Sequence, residues 1–301
     1  MTAVTIDPSR SSLRRYHHAN GAGSSSEAPY ALVTGATGGM GEEWAYQLAE
    51  QGFNVIIQGR NRSKLESVRD TILERTSHAR KVELLVCEAT VFPNPTLTST
   101  LTALLARPDI RLTIVINNLG VQSDGYPALD EISSEEMSGI ILANTIFPAE
   151  VSRIALPHLK THQPSLLVVI TSLAAWVPTP YLSPYAGTKG FDVAFSKALY
   201  NEMRSEQQQV DVVCMAPGQV ASNLYKGPIT LMAPTSEDWV RSAIHSLRPG
   251  WLFTRPAPQI TPYWPQYLGH LFQSLMPSIV GDSISISMVR AMRAEHLAKS
   301  K

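Results

Sequence analysis

Tyr185 and Lys189 stand four residues apart in the stretch Ser183-Pro184-Tyr185-Ala186-Gly187-Thr188-Lys189. On a helix that spacing puts both side chains on one face. A phenol ordinarily keeps its proton to a pKa of roughly 10. An ammonium held beside it favours the phenolate and makes the hydroxyl usable as a general acid or base at working pH. Taken alone, the pair describes equally well a half-buried aromatic next to a solvated lysine. A second stretch with chemical meaning is Gly35-Ala36-Thr37-Gly38-Gly39-Met40-Gly41, four glycines in seven residues. Backbone N–H groups at such a turn, opening a helix, face a pyrophosphate, and the missing side chains let it approach. Arg60 and Arg62 follow Gly59 where a dinucleotide fold otherwise carries an acidic residue for the ribose 2′-OH. Arginine there accommodates a 2′-phosphate, which favours NADP(H) over NAD(H); Arg62 reads equally as a solvated charge at a helix start.

These residues need strands and helices to bring them together. Tyr30–Thr34 is a short apolar run that reads as a buried strand feeding the glycine turn and a helix over Met40–Gln51. Further strands are predicted over 54–58, 81–87, 112–116, 165–170 and 210–215. Between them the pattern gives a polar helix capped by Ser63, a helix over 95–105, a long one over 133–162 with Asn144 in its middle, and one beginning near Tyr185. In that last helix Phe191, Ala194, Phe195, Ala198 and Leu199 make an apolar face. Strands alternating with helices imply an α/β fold, a Rossmann-like doubly wound parallel sheet with helices on both faces. Ligands collect at the carboxyl ends of such strands, where Glu88-Ala89-Thr90, Asn117-Asn118-Leu119-Gly120, Thr171-Ser172 and Pro217-Gly218-Gln219-Val220-Ala221-Ser222 fall. Asn144, a poor mid-helix residue, reads equally as an exposed side chain.

The chain has 301 residues with Lys+Arg 25 against Asp+Glu 25. That length suits one large domain, and the charge balance argues against nucleic acid as the main partner. Cys87 and Cys214, far apart and inside predicted strands, read as core thiols of a reducing compartment. Residues 1–28 read as a disordered tail without an apolar signal region, and the pair His17-His18 is too small for a metal site. No run reaches the roughly 18 apolar residues of a membrane span. Residues 29–301 then form a single domain, with a substrate lid and a helical extension from about residue 223.

Together these motifs resemble the short-chain dehydrogenase/reductase family over roughly Pro29 to Leu224. The resemblance rests on Thr34-Gly35 … Gly39-x-Gly41, Asn117-Asn118-x-Gly120, Asn144, Ser172, Tyr185-x-x-x-Lys189 and Pro217-Gly218, in that order. Gly59-Arg60-Asn61, Asn117-Asn118-Leu119-Gly120 and Pro262-Tyr263-Trp264 look most like the branch of very-long-chain 3-oxoacyl-CoA reductases and 17β-hydroxysteroid dehydrogenases. The resemblance implies that Tyr185 gives a proton to a carbonyl oxygen, that Ser172 stabilises that oxygen, and that Lys189 lowers the phenol pKa and holds the nicotinamide ribose. It implies that Asn144 anchors a water continuing the proton path. Cofactor contacts are expected from Gly35, Thr37, Gly39, Met40, Gly41, Arg60, Asn61, Glu88, Asn117 or Asn118, Gly120, Tyr185, Lys189, Gly218, Val220 and Ser222. A homodimer or homotetramer built on the Asn144 and Tyr185 helices is implied as well. The sequence departs from the family at Glu88-Ala89, where relatives commonly carry aspartate, at Asn118-Leu119 in place of Asn-Ala, and in having no apolar anchor in residues 1–28.

The loop from Leu173 to Leu182 and the segment from Leu224 to Pro234 are apolar and follow the catalytic and nicotinamide motifs, which suits a bulky apolar carbonyl compound. Leu268, Leu271, Phe272, Leu275 and Met276 form an apolar stripe read first as core or dimer packing and second as a membrane-surface or partner face. The expected protein is a cytoplasmic NADPH-dependent carbonyl reductase of specialised metabolism, with peripheral membrane contact left open. The alternative is a 3-oxoacyl-CoA or hydroxysteroid reductase of lipid metabolism, and a non-catalytic NADP(H)-binding sensor is the rival from another class.

Overall fold

The computed structural model describes residues 12–17, 28–177, 179–225, 227–248 and 255–299. Among them, seven strands make one parallel sheet: β1 (Tyr30–Val33), β2 (Asn54–Gly59), β3 (Val82–Val86), β4 (Leu112–Asn117), β5 (Ser165–Ile170), β6 (Val210–Met215) and β7 (Gln259–Ile260). Their spatial order is β3-β2-β1-β4-β5-β6-β7. Every residue of β1, β2, β4, β5 and β6 is buried. That is why these strands are largely apolar: a parallel sheet is covered on both faces by the crossover helices. The strand order reverses between β1 and β4, which opens a crevice at their carboxyl ends.

One face carries α2 (Gly39–Glu50), α3 (Arg62–Arg75) and α8 (Ser236–Ser246), packed through Trp44, Leu65, Ile72 and Trp239. The other carries α4 (Pro95–Leu105), α6 (Phe147–Thr161) and α7 (Ser183–Ser205), packed through Leu101, Val151, Leu159 and Leu199. The seventh strand and α8 were not expected from the sequence. A two-residue strand has no periodicity to read, and α8 announces itself mainly by its cap, where Thr235 Oγ1 accepts the Asp238 N–H. The cap of α3 is Asn61 and not Ser63: Asn61 Oδ1 accepts the Lys64 N–H at 3.0 Å.

The long helix expected over 133–162 is three pieces: α5 (Ser134–Ile141), a π-helical turn (Leu142–Ile146) and α6. Pro148 has no N–H, so the Asn144 carbonyl lacks the donor an α-helix would supply, and the ladder must reset there. By length and composition this segment could cross a membrane, but half of its apolar window is buried inside the protein, as in a core helix.

The expected tail of 28 residues fails over its middle. Residues 12–17 pack on the body as a turn followed by α1 (Arg14–His17), with Leu13 and Tyr16 fully buried. Tyr16 donates to Asp211 Oδ2 at 2.9 Å, Arg15 approaches the same carboxylate, and His17 meets Phe53 with ring centroids 4.0 Å apart. A lone leucine and tyrosine in a polar stretch show no periodicity, so nothing local announces the docking. Residues 1–11 and 18–27, and with them His18, lie outside the described residues.

The apolar face expected on α7 meets the core only in part: Leu199 is buried and Phe195 packs against the core, whereas Phe191, Ala194 and Ala198 are exposed. Thr188, Lys189, Asp192, Ser196 and Met203 are buried beside Leu199. The helix turns its polar side inward because that side builds the site.

Candidate active site

The glycine turn is made by left-handed backbone at Gly35 (φ 66°) and Gly39 (φ 59°). Gly41 admits no side chain: a Cβ there would lie 2.2 Å from the Gly35 carbonyl oxygen. Gly38, the N-cap of α2, caps no N–H with a side chain, so the first amides of the helix have no side-chain cap and are available to an anion. Gln58, buried in β2 and not singled out from the sequence, ties three strand ends. Its Oε1 accepts the Gly35 N–H at 3.0 Å and its Nε2 donates to the Cys87 carbonyl at 3.0 Å. Thr34 Oγ1 accepts the N–H groups of Asn118 (3.0 Å) and Leu119 (3.1 Å), closing β1 onto β4.

Asn117 and Asn118, offered together as adenosine contacts, go to different places. Asn117 is the last residue of β4, and its amide donates to Ser152 Oγ (2.8 Å) and the Pro148 carbonyl (3.2 Å) beneath α6. Asn118 turns the other way and lines the cavity, donating to the Thr34 carbonyl at 3.1 Å, while its buried Oδ1 has no hydrogen-bond partner. Arg60, 78% exposed, stands 3.9 Å from Glu88 Oε2 across the ends of β2 and β3. Glu88 Oε1 closes its own turn by accepting the Ala89 N–H at 2.8 Å, and Asn61 is occupied as the helix cap. A Cβ on Gly59 would meet the Thr37 methyl at 2.7 Å, so Thr37 and Arg60 flank one approach.

Ser172, Tyr185 and Lys189 line a single cavity of about 470 Å³, together with Met40, Asn118, Gly120, Gly218, Val220 and Ser222. Ser172 follows β5, and Tyr185 is the third residue of α7. The join between them is rigid: Thr171 Oγ1 donates to the Lys189 carbonyl at 2.7 Å, and Lys189 Nζ donates to the Ile170 carbonyl at 2.9 Å. Lys189 Nζ stands 5.9 Å from the Tyr185 ring centroid. It also reaches Asp192 Oδ2 at 2.9 Å, a partner not expected from the sequence although an acid at i+3 was there to be read. Burial by itself would lower the Lys189 pKa. The Asp192 carboxylate, with the negative charge available to Tyr185 behind it, opposes that loss, and together they hold the ammonium above its ordinary value.

Asn144 is fully buried. Its Oδ1 accepts the Val121 N–H at 2.8 Å and its Nδ2 donates to the Val121 carbonyl at 2.8 Å and to Thr188 Oγ1 at 3.0 Å. The side chain therefore clips the loop after β4 to α7. Pro148 denies the Asn144 backbone carbonyl its i+4 donor. Cys87 and Cys214 are buried free thiols pushed by burial up to about 11 and about 12, so both are inert. Among the described residues no cluster of metal-ligating side chains occurs.

The outer wall is the region the sequence left open. Helices α9 (Trp264–Leu275) and α10 (Ser278–Lys299) supply Gly269, His270, Gln273, Met288 and Met292 to the cavity, and Leu173, Val177, Leu182, Leu224, Tyr225 and Met232 complete it. Pro178, Lys226 and residues 249–254, including Trp251, lie outside the described residues. Gln266, also missed, staples this wall to the loop after β6: its Oε1 accepts the Gly218 N–H at 2.9 Å and its Nε2 donates to the carbonyls of Gln219 and Met232. The apolar stripe of α9 does not fill the core. Phe272 is 65% and Leu275 77% exposed, because the inward side of that helix is the one that meets the cavity.

The residues fit a dinucleotide: two left-handed glycines, a third with no room for a Cβ, uncapped amides at the start of α2, and an unpartnered amide oxygen on Asn118. A family model described as short chain dehydrogenase matches residues 29–228. The very-long-chain 3-oxoacyl-CoA reductase of Scheffersomyces stipitis is 30% identical over 284 residues, covering 90% of this chain and 80% of its own length. That of Pyricularia oryzae is 28% identical, covering 90% and 81%. Among solved structures, a short-chain dehydrogenase from Sphingobium yanoikuyae in complex with NADPH superposes with a TM-score of 0.68 at 20% identity, covering 82% of this chain and 92% of that one. A 7β-hydroxysteroid dehydrogenase reaches 0.72 at 16% identity, covering 91% and 99%. These structural likenesses carry the fold.

Proposed function

The chain belongs to the short-chain dehydrogenase family and is an oxidoreductase, and from that premise we propose that it reduces the keto group of an apolar 3-oxoacyl thioester with NADPH. When bound, a reduced nicotinamide supplies the hydride that reaches the carbonyl carbon. Tyr185 gives its hydroxyl proton to the carbonyl oxygen as that oxygen gains charge, so ketone, hydride and proton close to a secondary alcohol. Ser172 Oγ donates to the same oxygen. Lys189 holds a positive charge near the phenol, whose proton is replaced from solvent through a water that the Asn144 backbone carbonyl would hold by accepting its hydrogen bond. Gly218, Val220 and Ser222 border the nicotinamide, and Asn118 rather than Asn117 serves the adenosine half.

The observation that carries the reading is the convergence of Ser172, Tyr185 and Lys189 on one apolar-walled cavity, at the crevice where a dinucleotide fits. The substrate class leans on the curated relatives, which favour lipid metabolism over the specialised-metabolism reading. A cavity of about 470 Å³ with a largely apolar wall suits the nicotinamide and the reacting end of an acyl chain. NADPH consumption with 3-oxoacyl-CoA of increasing chain length, against bulky polycyclic ketones, tests the assignment. We expect the highest kcat/KM on long acyl chains; higher values on the free ketones would return the second reading, a reductase of bulky free ketones.

For the cofactor, Gly59 offers no carboxylate to a ribose 2′-OH, and the exposed Arg60 follows it at the end of β2. Arg60→Ala is expected to weaken NADPH binding by about 1.5–3 kcal/mol, roughly ten- to hundredfold, through lost charge-assisted bonds. NADH binding should hardly change. Fluorescence titration of both cofactors reads it, and equal losses would refute the 2′-phosphate assignment. Self-association across α5 and α7 belongs to the same reading, supported by exposed Met137, Ile141 and Phe191 on those helices.

A further inference from the structure

Lys189 and Asp192 form an ion pair sealed from water, with side chains 4% and 2% exposed and Nζ 2.9 Å from Oδ2. Such a pair gives the fold little, since two apolar residues of similar volume commonly serve stability as well or better. The second carboxylate oxygen, Asp192 Oδ1, is buried without a hydrogen-bond partner, which packing alone would not select. On the lysine side the geometry is definite. An ammonium has three donors, and the Ile170 carbonyl and Asp192 take two of them at 2.9 Å each. One N–H remains for the cavity that Lys189 lines.

We propose that Asp192 is a positioning residue, which fixes Lys189 Nζ against the end of β5 and keeps its ammonium charged inside an apolar wall, so that one N–H and a standing positive charge serve the Tyr185 phenol. This rests on the reading of Tyr185 and Lys189 as the proton-donating pair. The titratable groups around the ion pair are Tyr185 on α7 itself and Cys214 on β6, and the thiol is too far raised by burial to ionise. Asn144 on the π-helical turn and Thr188 bring no charge, and β5 brings the Ile170 carbonyl. Burial pushes the Asp192 carboxyl up while Lys189 draws it down; with Nζ in contact, the ionised pair is the resting state.

The test is the pH profile of kcat/KM for carbonyl reduction in wild type, Asp192→Asn, Asp192→Glu and Tyr185→Phe. Reduction needs the Lys189 ammonium charged, so the rate falls as pH rises through the lysine pKa. Without the carboxylate, burial lowers that pKa. The alkaline limb of Asp192→Asn therefore moves to lower pH, by about one to three units. Asp192→Glu should bring it back. A second readout needs no substrate. In Asp192→Asn the folded lysine pKa lies below its unfolded value, so the unfolded chain holds the extra proton and the melting temperature should rise with pH from about 7 to 10 relative to wild type. A variant that folds only at alkaline pH supports the assignment equally. An unmoved alkaline limb with merely lower rates, or equal destabilisation at every pH in both Asp192 variants, would assign the residue to packing and overturn the proposal. Failure of the underlying reading looks different: Tyr185→Phe would turn over like wild type.

Discussion

Tyr185→Phe should lower carbonyl reduction by about 10²–10⁴-fold while leaving NADPH binding and the melting temperature close to wild type. The ring stays, and so does the volume that packs at the start of α7. The backbone there is held independently of the hydroxyl, because Thr188 Oγ1 donates to the Tyr185 carbonyl at 2.7 Å and accepts from Asn144 at 3.0 Å. What disappears is one proton at the place where the carbonyl oxygen gains charge. Ser172 can still hydrogen-bond that oxygen but cannot quench it as the phenol does, so the loss should fall on kcat more than on KM. Single-turnover mixing of preloaded NADPH enzyme with substrate separates the chemical step from binding. A variant within tenfold of wild type would remove Tyr185 from the mechanism. Tight NADPH binding with no turnover in wild type would instead support the non-catalytic alternative.

Most strands feeding the site were legible because they are buried on both faces and read as largely apolar runs; β3, only partly buried, was legible from its Val and Leu residues alone. The motifs at their carboxyl ends followed from the same logic. What the sequence did not disclose was direction. Asn117 and Asn118 are adjacent and chemically alike, yet one ends β4 under α6 and the other lines the cavity. Which is which depends on where the last ladder residue falls. The apolar face expected on α7 is only partly buried, through Leu199 and Phe195, and the stripe of α9, read first as core or dimer packing, is largely exposed. The inner sides of both helices carry polar residues that build a site, with Lys189, Asp192 and Ser196 on one and Gln266, His270 and Gln273 on the other. Gln58, Gln266 and Asp192 escaped notice for a related reason. Each acts through bonds to residues more than twenty positions away or through a buried charge, and neither leaves a periodic trace.

Gly41→Ala should abolish dinucleotide binding and destabilise the fold, the largest effect expected of a single methyl group in this chain. The added Cβ would lie 2.2 Å from the Gly35 carbonyl oxygen and 2.5 Å from Asn118 Nδ2. The first neighbour is backbone in a left-handed turn, whose own N–H is fixed by Gln58, so it cannot yield without pulling β1 from β2. We expect NADPH affinity to fall more than 100-fold, and overpacking at a closed turn to cost about 1–3 kcal/mol. Gly38→Ala supplies the contrast within the same loop. Its Cβ would meet only the Asn223 amide nitrogen, at 2.6 Å, and Gly38 has extended backbone that any residue adopts. Asn223 sits on the loop after β6 and can swing aside, so this variant should melt near wild type and lose little cofactor affinity. Thermal melts and NADPH titration of the two proteins decide the matter: similar losses would mean that crowding along the whole loop, and not the approach of α2 to the Gly35 carbonyl, is what requires glycine.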